Sequence, residues 1–403
     1  MIIRNIRLGN LDTAAVLSAQ CKIRKIGWDT VTFGVTNAAQ AAHVHDDASP
    51  FAAALLLPSM KRGENLIIEG TISERLYKGM HAVMHEVLNW GIGLEPVKIE
   101  ANTVVADTLQ PYRTASFFSG GVDSFYTYLK HTTDPVKADR VDSFILVKGF
   151  DIDRRNIPLW NQTLKSINTI ATAEKIELLV VTTNIQRLVE PILSWEYVHG
   201  GCLAAVGLFL RRAFRQIYIP STLSREEQMP WGSSLALDGH WSTESTTFVH
   251  DGTEATRIDK ILSQIAQSPL ALEHLRVCYE NEKGAYNCGK CDKCLRTMIS
   301  LYVAGALEKS GTFPHHIDPG LVSAIPALPI NGAFLVQHEN LRALKEKNLA
   351  PELQRAIAAS LDNAAIGKSN LSAIKDRVKY VDHVYANGCV YSIWNRLFGK
   401  RFS

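Results

Sequence analysis

The hexapeptide Ser119-Gly120-Gly121-Val122-Asp123-Ser124 constrains this chain more than any other stretch. An apolar run over residues 115–118 precedes it and Phe125-Tyr126-Thr127-Tyr128-Leu129-Lys130 follows, so it reads as strand, glycine turn and helix. Two adjacent glycines let the main chain turn tightly and approach a ligand with no Cβ in the way. The first N–H groups of the following helix have no partner within it, and the helix dipole favours negative charge there. Ser119 and Ser124 offer hydroxyl donors to phosphate oxygens, and Asp123 can hold Mg²⁺ or cap the helix start. No Gly-Lys-Ser/Thr follows, so this phosphate cradle is not a Walker A loop.

Downstream, residues 143–148, 177–182 and 216–219 are short apolar or β-branched runs, and residues 157–173 and 199–214 between them have helical spacing. Strands of this kind alternating with helices predict an α/β fold, a parallel sheet with helices on both faces. In such sheets ligands bind at the carboxyl ends of the strands, near the switch point. That rule places Lys148, Gly149, Asp151, Thr183 and Ser221 on one edge with the glycine turn. A helix over 255–265 presents Arg257 and Lys260, three apart and therefore on one face. The long loop over 229–245 adds Asp238, His240 and Glu244 as candidates for substrate contact or proton handling.

At 403 residues two or three domains are expected. Residues 1–110 predict an N-terminal α+β domain with strands over 1–8, 30–35, 65–69 and 96–101 and helices over 51–60 and 73–90. Its His43, His45, Asp46 and Asp47 read as a solvated polar loop. Residues 111–307 make the parallel-sheet domain. Residues 308–403 predict a helical region, with helices over 339–347, 351–361 and 372–385 and a basic tail from Lys368 read as a solvated face. A net charge of +3 gives no ground for a nucleic-acid partner. No apolar run reaches bilayer length, and Arg4 and Arg7 interrupt the only early apolar positions, so neither a membrane span nor a leader is expected.

Four of the seven cysteines crowd together as Cys278-x9-Cys288-x2-Cys291-x2-Cys294, with Gly289 allowing a turn between ligands. Such clustering is metal-site usage in a reducing compartment and points to the cytoplasm. Four thiolates suit tetrahedral Zn²⁺ in a closed, structural site, and an iron–sulfur cluster would use the same ligands. The excess negative charge of four thiolates on one Zn²⁺ would be offset by Lys290, Lys293 and Arg296.

The hexapeptide resembles the PP-loop of the N-type ATP pyrophosphatases, the adenine nucleotide alpha hydrolase-like fold. Together with the cysteine pattern it is similar to the 7-cyano-7-deazaguanine synthase family, over roughly residues 113–305. The resemblance implies that residues 119–124 grip the β- and γ-phosphates of ATP with Mg²⁺, with Ser119, Asp123 and Ser124 as catalytic residues. It also implies that a basic residue after the last core strands, Arg257 or Lys260, approaches the phosphates. The activity it implies is an ATP-dependent ligase that adenylates a small-molecule carboxylate, releases pyrophosphate and passes the acyl group to ammonia or an amine. Oligomeric state, including a homodimer, is left open. Two other readings stand beside it: a sulfurtransferase of the tRNA-thiolation type, which needs a reactive thiol among Cys21, Cys202 and Cys389, and a non-catalytic nucleotide-binding component of a larger assembly.

Overall fold

The computed structural model describes residues 1–367 apart from 12–13, 25–26, 153–154, 228, 282–284 and 328–331. The helix expected over 372–385, the basic tail from Lys368 and Cys389 lie outside the described residues. In chain order, β1 (Ile2–Leu11), β2 (Ala14–Ile23), β3 (Gly27–Val35), α1 (Ser49–Arg62), β4 (Leu66–Ser73), α2 (Glu74–Val87) and β5 (Ile99–Val105) come first. They are followed by β6 (Arg113–Phe117), α3 (Val122–Thr132), β7 (Ser143–Lys148), α4 (Ile157–Glu174), β8 (Glu177–Thr183), α5 (Ile185–Val189) and α6 (Trp195–Phe209). Then come β9 (Phe214–Pro220), β10 (Thr247–Asp251), α7 (Arg257–Ser263), α8 (Pro269–His274) and α9 (Asp292–Val303).

All ten strands join one sheet in the order β10-β9-β6-β7-β8-β3-β2-β1-β4-β5. The stretch from β10 to β8 is parallel throughout. Thr114–Phe117 of β6 and Ser143–Leu146 of β7 are buried continuously, as strands covered on both faces must be. The chain runs outward from β6 to β7 and β8, then returns to place β9 and β10 on the other side of β6. The order therefore reverses between β6 and β9, and their carboxyl ends flank the crevice that such a reversal opens.

The boundary expected near residue 110 falls inside a compact unit that runs from Met1 to Ile317. β3 pairs antiparallel with β8 through Phe33 with Thr183, Gly34 with Thr182 and Val35 with Val181. Asn184 fastens the junction, accepting from Thr32 N at 2.9 Å and donating to Thr30 O at 2.8 Å. Behind it Phe33 meets Phe51 of α1 at 5.5 Å and Phe209 of α6 at 6.0 Å between ring centres. Separating the two parts would expose these rings, at about 1.5–3 kcal/mol for each side chain. Asp47 lies in this seam as well, buried and bound by both terminal nitrogens of Arg211, whose Nε reaches Asp107 at 3.0 Å. It is a structural ion pair and not part of a solvated loop.

Several elements differ from the sequence reading: β5 runs later than residues 96–101, α7 is shorter than residues 255–265, and α5, α8 and β10 are additional. β2 was not foreseen, although Ala15, Leu17, Ala19, Cys21 and Ile23 alternate inward; alanine and glutamine give its strand pattern little propensity. α6 begins four residues before the expected start and ends at Phe209, because Phe214 opens β9. The second compact unit starts at Asp318 and contains α10 (Pro319–Ala324), α11 (Ala333–Glu346) and α12 (Pro351–Gly367). Within it Asn363 Nδ2 donates to Ser323 O at 3.1 Å, which ties α12 to α10.

α3 is anchored to β10 by Asp251, which accepts from Thr127 Oγ1 and Lys130 Nζ, both at 2.8 Å, and pairs with His131 Nε2 at 3.1 Å. Burial pushes the Asp251 carboxyl up, but His131 and Lys130 outweigh it and bring it down to about 2 from the usual 3.8. Burial pushes His131 down, but Asp251 and Asp134 outweigh it and raise it above the usual 6.5. Asp251 therefore contributes stability above pH 3.8 that is lost as pH falls through about 2. His131 contributes stability below pH 6.5 that is lost as pH rises through its raised value. Asp251→Asn is expected to cost on the order of 3 kcal/mol at neutral pH and to flatten the acid side of the curve. Denaturant unfolding of both proteins between pH 3 and 8 checks this, and parallel curves for the two would refute it.

Candidate functional site

The loop after β6 is set by what surrounds it. Phe118 stacks on Phe144 at 4.0 Å and meets Phe125 edge-on at 5.0 Å, which fixes where the strand ends and α3 begins. Gly120 turns the chain at φ +77°, a conformation disfavoured for side-chain-bearing residues. Gly121 precedes α3 and its carbonyl accepts from Phe125 N and Ser124 Oγ, both at 3.0 Å. Ser124 is buried with its hydroxyl donor spent on the loop itself, so it shapes the cradle and has no donor left for a phosphate. Val122 is core, and its contribution to the cradle is its backbone N–H. Ser119 is exposed at the rim.

Asp123, in the first turn of α3, lies among cations. Arg257 NH1 reaches both of its oxygens, at 3.1 and 3.2 Å, and Lys260 Nζ stands 3.7 Å from Oδ1. Arg257 and Lys260 share a face of α7, as their spacing implies, and both are buried. Lys260 also donates to Ser221 O at 2.6 Å, which joins the carboxyl end of β9 to that of β6. Burial raises the Asp123 carboxyl, but Arg257, Lys260 and Lys293 more than offset this and hold it below the usual carboxylate range. Lys260 and Lys293 are both lowered, chiefly by burial, and Arg257 adds to the effect in each. Arg257 and Lys260 thus converge on the Asp123 carboxylate, and the charge of Lys293 is felt there as well, a positively biased environment that suits an anion.

Among the described residues, Arg257 Nε and Arg276 Nε are buried with no hydrogen-bond partner. Buried donors are seldom left in that state, and here they sit beside the loop. Arg276 N donates to Gly120 O at 2.8 Å. A helix start, converging cations and unspent guanidinium donors at the switch point are a donor set that can hold an anion.

The remaining edge candidates separate. Lys148 lies with its ammonium 5.3 Å from the centre of the Trp160 ring, and Gly149 takes φ +117°. Asp151 is exposed, its carbonyl accepting from Asn281 Nδ2 at 3.0 Å, and its charge is felt by Lys293 and His199. Thr183 is buried and its hydroxyl accepts from Ile185 N at 3.2 Å, so it starts α5. In the long loop Asp238 is fully buried and takes hydrogen bonds from Ser233 Oγ and His250 Nδ1, both at 2.7 Å. His240 is exposed. Glu244 is structural, accepting from Ser73 Oγ, Arg75 N and Asp107 N at 2.8–2.9 Å.

The sulfur atoms of Cys278, Cys288, Cys291 and Cys294 all lie within 4.8 Å of one another. Cys288 and Cys294 are 3.9 Å apart, against about 3.8 Å for two thiolates on a tetrahedral Zn²⁺. The peptide N–H groups of Lys290 and Cys291 donate to Cys288 Sγ at 3.5 and 3.3 Å, which orients the sulfur within the cluster. Gly289 permits this knuckle: it takes φ +67°, and a Cβ there would come 2.7 Å from Pro314. The cluster can therefore hold a metal ion such as zinc. Cys291 precedes α9 and Cys294 lies in its first turn, and the charge of Lys293 between them is felt by Asp123. The sequence reading gave Lys293 and Arg296 to charge balance at the metal; it missed Lys293 and Arg276 as partners of the loop. The signal for Lys293 was its place on a helix face turned away from Cys294.

The chain matches no known family model, no curated protein and no solved structure. Among the described residues no helix is long and apolar enough to cross a membrane.

Purified protein is expected to carry one zinc per chain by elemental analysis. Cys291→Ser should lower metal content and thermal stability together, because metal affinity at such a site is folding free energy. Iron with a visible charge-transfer band, or well-folded protein with no metal, would contradict this.

Proposed function

We propose that this chain is an ATP-dependent ligase of the PP-loop type, which cleaves ATP between the α- and β-phosphates to activate a carboxylate. The observation that carries the reading is the convergence of the buried Arg257 and Lys260 on Asp123 at the start of α3, with Arg257 Nε left without a partner. A carboxylate oxygen of the substrate attacks the α-phosphorus, the bond to the bridging oxygen breaks, and pyrophosphate leaves with its charge facing these cations. Ammonia or an amine then attacks the acyl carbon and AMP departs with the electron pair of the acyl C–O bond. Mg²⁺ supplies further charge neutralisation on the phosphates, and Asp123 suits it as a ligand only by yielding part of its contact with Arg257.

The sulfurtransferase reading needs an accessible thiol of lowered pKa. Cys21 and Cys202 are fully buried instead. Burial and Asp29 push Cys21 up to about 12, and burial and Glu190 push Cys202 up as well. Both behave as small hydrophobes, which favours the ligase.

With a panel of small carboxylates and ammonium, the products from ATP are expected to be AMP and pyrophosphate; ADP and phosphate would sink the proposal. Arg257→Met should reduce turnover by about 100-fold, as loss of a preorganised charge contact does, and Asp123→Asn should also reduce it strongly, both with unchanged circular dichroism. A variant with Cys21, Cys202 and Cys389 replaced by serine or alanine should keep its activity. Adenylation retained with product formation lost in that variant would favour sulfur transfer.

A further inference from the structure

We propose that the four-cysteine centre and the loop over residues 119–124 are one coupled unit, with Arg276 as the positioning residue between them. Metal ligation then tightens the grip on a bound polyphosphate, and the polyphosphate tightens the grip on the metal. The inference rests on the reading of the loop as a nucleotide-phosphate site.

Two routes join the centres. The first is the segment from Leu275 to Cys278. At its loop end Arg276 N donates to Gly120 O at 2.8 Å, and the Arg276 carbonyl lies 3.5 Å from where a Cβ on Gly121 would stand. At its metal end Cys278 is a ligand candidate. The Arg276 guanidinium ties into that metal end, donating to Cys278 O at 3.1 Å and Asn281 Oδ1 at 2.5 Å. Asn287, next to Cys288, stiffens the same segment: its Oδ1 accepts from Val277 N at 2.9 Å and Cys278 N at 3.2 Å, and its Nδ2 donates to Leu275 O at 2.9 Å. The second route is α9, which begins between Cys291 and Cys294 and packs on α7, the helix that brings Arg257 and Lys260 to Asp123.

Both routes end on the same loop. Four ligated thiolates fix the Cys278 end of the segment and the first turn of α9 together, so releasing the metal frees both at once. A ligand that draws Gly120, Lys293 and the unspent Arg276 Nε into contact must stabilise the ligated arrangement by the same free energy, since binding linkage is reciprocal. The Arg276 side chain bonds the metal-binding segment while its backbone holds the loop.

The test uses full-length, zinc-loaded protein. Zinc release to excess 4-(2-pyridylazo)resorcinol is followed with and without α,β-methylene-ATP and Mg²⁺, and binding of the analogue is measured separately by calorimetry. Bound analogue is expected to slow release by about tenfold, within the usual span of coupling between sites. Arg276→Met keeps the backbone bond to Gly120 and removes the side-chain link. It should retain its zinc but lose most of the protection at analogue concentrations that saturate it, and Arg276→Lys should recover part. Equal release rates in the wild type with analogue bound overturn the coupling. Full protection in Arg276→Met overturns the role of Arg276; if that variant does not fold, Arg276→Gln is read the same way. Absence of analogue binding by calorimetry overturns the nucleotide reading itself, and the inference with it.

Discussion

The convergence of the buried Arg257 and Lys260 on Asp123 at the end of β6 is the interaction on which the rest of the site depends. A buried ion costs several kcal/mol unless it is paired, and Asp123 is shared between two cations. The start of α3 adds positive charge, because its dipole presents its positive end there. The arrangement persists because each cation is positioned by something other than Asp123. Lys260 is bonded to Ser221 O, Lys293 is carried by a helix that starts at the cysteine centre, and Arg257 opens a helix capped by Thr256. The cations are thereby held in place ahead of any ligand, the arrangement that preorganised stabilisation of developing charge requires.

That organisation was legible in the sequence where the signal is local. The glycine pair, the helix after it and the cysteine spacing each lie within a few residues, and the turns at Gly120 and Gly289 follow from chemistry the sequence states directly. Arg257 and Lys260 could be paired from their spacing. For Lys293 the sequence showed a helix face other than that of Cys294, but not what α9 packs against, which is set by α7, about 30 residues earlier in the chain. Thr183 was placed on the ligand edge by the rule for parallel strands. It lies at a strand end, but its hydroxyl is taken by the start of α5 and its backbone register by β3.

The N-terminal region was the least legible part, for a physical reason. Its local pattern of strands and helices is complete enough to suggest a domain, and nothing in residues 1–110 announces that β3 will pair with a strand about 150 residues further on. The junction is short, three residue pairs and the side chain of Asn184, so it leaves almost no trace in composition. Its strength comes from burial behind it and from Arg211 held between Asp47 and Asp107.

The consequence reaches the site. A parallel sheet that ended at β8 would expose an unpaired edge there, a template for pairing with another chain. With β3 in place the edge is covered, and Asn184 is drawn into fastening it. The polar groups remaining at the carboxyl ends of β6 and β9 are those gathered around Asp123. The N-terminal strands therefore belong to the scaffold that holds the switch point, and the anion site is a property of the whole Met1–Ile317 unit and not of its central part alone.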